Sequence, residues 1–313
     1  MREMKKKLDA KAYKLIGSWM YRNARPVDLA RWRYHFENGS RDEVLQALSA
    51  YQNEDGGFGH ALEADSWNPS SSPLTTSTAV LLLKEIGFSE TGHPLAQGIL
   101  NFLGRGEYTT DKGWPFTIPS NSEYPCAPWW SYSGAANAEM GFNPTAILVG
   151  FLLRFSDESS VVYEKALDLA DQMVDKLRRQ GHLEVHELQA YCTFLDDIGQ
   201  AGLSERFDAT FLAEALAIRV NEAIERDPAK WPQYTMRPSV YISSPGSSYY
   251  NGNEEIVEKE LDYLLDTRDA SGVWDITWNW GGYEKEFAIS ANWWRGTLII
   301  ENVKFLKAFG RVE

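Results

Sequence analysis

The stretch HALEADSWNP, residues 60–69, brings His60, Glu63 and Asp65 within six consecutive positions. An imidazole and two carboxylates are the side chains that move protons. Histidine titrates near neutrality, and a carboxylic acid shielded from water rises toward it. Trp67 follows at once, and an indole against Glu63 would supply that shielding. His60, Glu63 and Asp65 are therefore the candidate catalytic residues. The competing reading is a polar loop whose acids cap neighbouring helices.

Proton transfer needs a surface that holds the substrate, and this chain is rich in one kind: it has 12 Trp, 15 Tyr and 14 Phe. CAPWWSY at 126–132 supplies Trp129, Trp130 and Tyr132. WDITWNWGGY at 274–283 and NWWR at 292–295 supply Trp278, Trp280, Trp293 and Trp294. With Trp67, these are the candidate substrate-binding residues, lining a pocket at one mouth of the fold. The same tryptophans could equally fill a large apolar core. Glu139 and Asp275 are acids that could face Glu63 or Asp65 across such a pocket.

Two further constellations carry less. In FLDD, residues 194–197, Asp196 and Asp197 read as a solvated helix end beside Gly199. In GHLEVHEL, residues 181–188, His182 and His186 stand at i, i+4 with Cys192 nearby, a spacing able to hold a metal on one helix face. Ordinary hydrogen bonds at a helix start are the expectation there. No metal site is assigned, and the cofactor stays open.

The elements that must position these residues are helical. Val162, Ala166, Leu169, Met173 and Leu177 form one stripe, and Val257, Leu261, Leu264 and Leu265 another, whereas no segment sustains period-two alternation. The pattern predicts about twelve helices, over 8–21, 26–37, 41–52, 73–87, 94–104, 143–155, 159–179, 184–199, 204–226, 236–243, 253–267 and 288–308. Asn68-Pro69 and Asn143-Pro144 read as N-cap and first-turn devices. Between helices, an Asp/Gly/aromatic punctuation recurs at Asp55, Asp111, Asp227 and Asp269, with spacings of 56, 116 and 42. That suggests degenerate repeats of about fifty residues, each a helix, a corner and a returning helix.

The first corner, QNEDGGFG at 52–59, resembles the Q-x-x-D-G-G-[WF]-G repeat of squalene–hopene cyclases and protein prenyltransferase β subunits. RDASGVW at 268–274 is similar to a worn copy, with Arg268 in place of the glutamine. The resemblance implies an all-α (α/α)6 toroid of about six helix pairs, with the corners tying helices together on the periphery. It also implies a terpenoid cyclase-like or prenyltransferase-like protein with a small-molecule ligand in a central cavity. The D-x-D-D and D-D-x-x-D signatures of those families are absent.

Bulk properties narrow the rest. Length alone allows two domains of common size, yet no linker or composition break divides the chain, so residues 1–313 read as one domain. A net charge of −13 disfavours nucleic acid and anionic membrane surfaces as partners. MREMKKKLDAKAYK has no apolar run after its basic residues, so no signal peptide or membrane span is read and cytoplasm is the expected compartment. A protein partner is not assigned. Three functions stay open: an enzyme acting on an isoprenoid or other apolar substrate by acid–base chemistry, a carbohydrate-active toroid, and a non-catalytic ligand- or peptide-binding ring.

Overall fold

The computed structural model describes residues 5–139, 141–179 and 183–313. The protein is all-α. Among the described residues there are twelve α-helices, four short 3-10 turns and no strand, only isolated bridges. The chain forms two compact units, Leu48–Arg219 and the remainder, Met1–Ala47 with Val220–Glu313. The divisions fall within α3 (Arg41–Ser49) and α10 (Ala209–Ala223).

In the Leu48–Arg219 unit, α7 (Thr145–Phe155) is the central element. Ten of its eleven residues, TAILVGFLLRF, are buried. It packs on α4 (Pro73–Glu85), α5 (Pro94–Gly104), α8 (Val161–Arg179) and α9 (Val185–Gln200). A helix apolar all round must be covered on every side. Each large side chain so buried contributes roughly 1.5–3 kcal/mol. By contrast, α8 buries one stripe, Tyr163, Ala166, Ala170, Met173, Val174 and Leu177, and leaves its charges outside. Starts are capped as their chemistry demands. Ser72 Oγ accepts from the Thr75 amide with Pro73 at the first helical position, and the Glu184 carboxylate accepts from the amides of His186 and Glu187.

In the other unit, α12 (Glu284–Ala308) packs on α1 (Ala10–Asn23), α2 (Pro26–Phe36) and α11 (Glu254–Asp266). Residues near the two ends of the chain meet here. The Leu8 amide donates to the Arg311 carbonyl at 2.8 Å and the Glu313 amide to the Leu8 carbonyl at 3.1 Å. Arg311, 1% exposed, donates to the Lys6 carbonyl and to Asp262. Glu260 of α11 is fully buried, accepting from the Ser239 amide at 2.7 Å and hydroxyl at 2.6 Å, with Arg237 at 3.4 Å. Burial pushes its carboxyl above the ordinary 4.5, against the pull of Arg237 and Ser239. An acid raised on folding lowers stability as pH climbs from its unfolded value through its folded one. Glu260→Gln should therefore gain stability relative to the parent as pH rises above about 4.5 in urea titrations. A difference that stays constant with pH would refute this.

The corners are a recurring turn. The Asn53 amide donates to the Gly57 carbonyl at 2.9 Å and the Gly56 amide to the Asn53 carbonyl at 2.9 Å. The Asp269 turn repeats this: Asp269 to Val273 at 2.8 Å and Gly272 to Asp269 at 2.9 Å. Gly56 and Gly272 hold φ of +92° and +85°. At 110–113 the turn is one residue shorter, with Gly113 at φ +94°. The aromatic that follows is then fixed to a later helix: the Phe58 amide donates to Thr76 Oγ1 in α4, and the Trp114 amide to Thr145 Oγ1 in α7. The expected corner at Asp227 is different in kind. It caps a 3-10 turn, Pro228–Lys230, and contains no left-handed glycine.

Other differences have local causes. The helix expected over 236–243 is a single 3-10 turn, Pro238–Val240, whose Ser239 amide donates to Glu260. A short helix, α6 (Gly134–Glu139), stands within the long segment that the pattern leaves between helices. α10 begins at Ala209 rather than 204, after Asp208 at φ +52°. Asn68-Pro69 lies before the α4 cap at Ser72, and the residue capping α7 is Pro144, not Asn143. No helix among the described residues is long and apolar enough to cross a membrane.

Candidate functional site

Residues 60–72 leave the first corner and return to α4, and their course is dictated by buried amides. Asn68, 4% exposed, donates to Ser120 Oγ at 2.9 Å and Asn121 Oδ1 at 2.8 Å, and accepts from the Ser70 amide. Asn121 passes the network on to the Trp130 carbonyl at 3.0 Å. Backbone bonds join the same two loops: the Trp67 amide to the Pro125 carbonyl at 3.0 Å and the Ala127 amide to the Asp65 carbonyl at 2.8 Å. Buried polar groups are tolerated only when paired, and these pairings fix the two loops in register. The segment bearing Glu63, Asp65 and Trp67 is thereby held beside the one bearing Trp129 and Trp130.

Within that assembly the residues differ in access. Glu63 is 8% and Asp65 3% exposed, whereas Trp129 and Tyr132 are 42% and 47% exposed. The Asp65 amide donates to Glu63 Oε1 at 3.4 Å, a weak bond that places this carboxylate over the turn. Trp130 lies on Phe116 with ring centroids 4.6 Å apart, and its buried indole N–H has no acceptor among the described residues. His60 is exposed, at φ +56°, with Nε2 2.8 Å from Asn53 Oδ1. Asn53 Nδ2 already donates to the Pro69 carbonyl and to Ser71. Its oxygen therefore accepts from His60, so Nε2 carries a proton and Nδ1 is the nitrogen able to take another. Cys126, within the second of these loops, is a buried thiol that burial pushes up, away from reactivity.

The remaining candidate aromatics belong to the other unit. Trp278 stands edge-on to Tyr234 at 5.8 Å and to Trp294 at 5.3 Å. The buried Trp294 indole N–H has no acceptor among the described residues. Trp280 is 3% exposed and packs on Phe287. Trp293 lies under the Arg25 guanidinium, 5.4 Å from its carbon, where Arg25 and Arg31 both bind the buried Asp28. Asp275 is held by Arg295 through two bonds of 2.9 and 2.8 Å, and the Arg295 hydrogen bond keeps its carboxyl below the usual range. Glu139 is exposed at the end of α6.

The lesser constellations resolve differently. Asp197 is not a solvated helix end: it is 1% exposed and binds Lys84 at 2.9 Å and Arg154 at 3.0 Å, while the Asp196 side chain is 67% exposed. Two cations from α4 and α7 stabilise an acid placed unfavourably at a helix C-terminus. His186 pairs through Nδ1 with Glu184 at 2.7 Å, and His182 lies outside the described residues. Among the described residues no group of three or more His, Cys, Asp or Glu is arranged to hold a metal ion. Sequence reasoning misses Asn68 and Asn121 as the residues that join the two loops. A polar residue beside a proline is the available signal, and it reads first as a cap.

Comparison with protein-family models, with curated proteins and with solved structures returns no match for this chain.

Proposed function

We propose that the chain binds a small, largely apolar molecule at the paired loops and acts on it by acid–base chemistry, as a cyclase-like or prenyltransferase-like helical protein would. One observation carries the reading: two buried carboxylates, Glu63 and Asp65, sit on a loop fastened to the segment of Trp129 and Trp130. Aromatic faces favour a developing cation, and a carboxyl sheltered among them can give or take its proton. In this reading Glu63 and Asp65 handle the proton, with Trp67, Trp129, Trp130 and Tyr132 as the aromatic wall. His60 is exposed at the start of the same loop.

A second reading has its own support. Edge-on Trp278 and Trp294 beside the Asp275–Arg295 pair combine aromatic faces with charged hydrogen-bonding groups, the recognition chemistry of a sugar ring. Thermal denaturation with farnesyl diphosphate, squalene, and neutral or acidic oligosaccharides separates the two. A ligand binding only the native state at 100 times its Kd adds about 2.7 kcal/mol, a shift of several degrees. The first reading expects an isoprenoid shift reduced in Trp129→Ala, with product formation, not binding, lost in Glu63→Gln and Asp65→Asn. Stabilisation by oligosaccharides alone, abolished by Trp278→Ala, would replace it with the second.

A further inference from the structure

Tyr234, Trp278 and Trp294 come from separate stretches of one unit and meet at right angles. Trp278 is the middle ring. Tyr234 stands at 89° to it with centroids 5.8 Å apart, and Trp294 at 83° with centroids 5.3 Å apart. None of the three is a core side chain: Tyr234 is 55% exposed, and both indoles are partly exposed. The N–H of Trp294 is buried, so the surface that this indole leaves open is carbon.

The two loops that present these rings are anchored. Three residues before Tyr234, Trp231 is 1% exposed, donates from Nε1 to the Glu225 carbonyl at 2.9 Å and stands edge-on to Tyr263 of α11. Two residues after Trp278, Trp280 is buried on Phe287, and the Gly281 amide donates to Asn279 Oδ1 at 2.6 Å. Trp294 is carried by α12 itself. Such a site is ordered before any ligand arrives, which lowers the cost of binding. The neighbouring Trp293 is not part of it, because its face already lies under the Arg25 guanidinium.

The charge beside the corner favours a cation. Arg295, next to Trp294, is gripped by Asp275 through two bonds, and a second carboxylate, Asp269, acts on both. One guanidinium against two carboxylates leaves a negative charge over. An aromatic face is itself negative and attracts a cation within about 6 Å of its centre. A quaternary ammonium suits such faces best, since it has no N–H that must be hydrogen-bonded. Its rounded shape also touches two perpendicular rings at once, whereas a flat ring stacks on only one.

From this arrangement we infer that the corner of Tyr234, Trp278 and Trp294 binds a quaternary ammonium group, the trimethylammonium head of a small soluble molecule. Its methyl groups lie against the rings, and Asp269 and Asp275 balance its charge. The inference does not rest on the paired loops. It shares residues with the sugar reading but not its ligand.

The experiment is calorimetric titration of the full chain, at low salt, with choline and with tetramethylammonium. Dimethylbutanol, in which carbon replaces the choline nitrogen, keeps the shape without the charge, and ethanolamine keeps the charge without the methyl groups. Saturable binding of both quaternary cations is expected, with both controls at least about tenfold weaker. Tyr234→Phe, which keeps the ring, should stay within about twofold of the parent, whereas Tyr234→Leu and Trp278→Leu should each weaken binding at least about fivefold. Tyr234 is largely exposed, so its variants read the ring and not the fold, and circular dichroism checks both positions. No saturation with either quaternary cation at about 20 mM, a regime of very weak affinity, would overturn the proposal. So would dimethylbutanol or ethanolamine binding as tightly as choline, or unchanged affinity in both folded leucine variants. An oligosaccharide that stabilises the protein through Trp278 while choline does not bind would sink this inference and leave the sugar reading standing.

Discussion

Gly56→Ala should destabilise the protein by more than about 3 kcal/mol, enough to leave much of it unfolded at room temperature. Two effects add. Gly56 sits at φ +92°, where a Cβ strains the backbone by about 1–2 kcal/mol. The Cβ would also lie 2.8 Å from the Gly98 Cα and nearer still to its carbonyl oxygen. That obstacle is the backbone of α5, which cannot rotate away. It also lies where Gln52 ties the corner down, donating to the carbonyls of Gly56 and Leu95 at 2.9 and 3.1 Å. Gly87→Ala separates the two effects, because Gly87 has φ +65° but nothing within 4 Å of its Cβ position. It should lose only the strain, about 1–2 kcal/mol. Urea titration of both variants reads the difference directly. Equal losses would show that the corner does not bear on α5.

That corner illustrates what can be read from the chain alone. A glutamine, an acid and two glycines before an aromatic state their turn chemistry locally, because the two backbone bonds between Asn53 and Gly56 or Gly57 close within five residues. The degenerate copy at Arg268 is equally legible. In it the carboxylate enters at Asp269 instead of the fourth position, yet it accepts from Val273, as Asp55 accepts from the matching Gly57 amide. Helices with one apolar stripe or a good cap, such as α8 and α5, are legible for the same local reason. GAANAE has no stripe, so α6 is not.

What fails to show in the sequence depends on distant partners. Asn68 reads as a cap until Ser120 and Asn121, more than fifty residues on, are brought to it. Trp280 and Trp278 are alike in sequence, but one is buried on Phe287 and the other half-exposed beside Tyr234.

Asp196 and Asp197 pose the same problem most sharply, since adjacent acids on a helix point in different directions and only one is buried. Asp197→Ala should lose about 3–5 kcal/mol, because it leaves Lys84 and Arg154 partly buried without their counter-charge. Asp196→Ala should stay within about 0.5 kcal/mol, as surface changes do. The cause can be isolated further. The carboxylate reaches its partners across Gly150 of α7, where a Cβ would meet Asp197 Oδ2 at 2.5 Å and Cβ at 2.9 Å. Gly150→Ala in the parent should therefore be destabilising, since it pushes the acid out of its place between two cations. In the Asp197→Ala background the carboxylate part of that obstacle is gone and only the Cβ contact at 2.9 Å remains, so part of the loss is relieved. The double variant should then be more stable than the sum of the single losses by at least about 1 kcal/mol. Strict additivity in urea titrations would mean that α7 and α9 are spaced by something other than this acid. In that case the loss in Asp197→Ala would have to be assigned to the stranded cations alone.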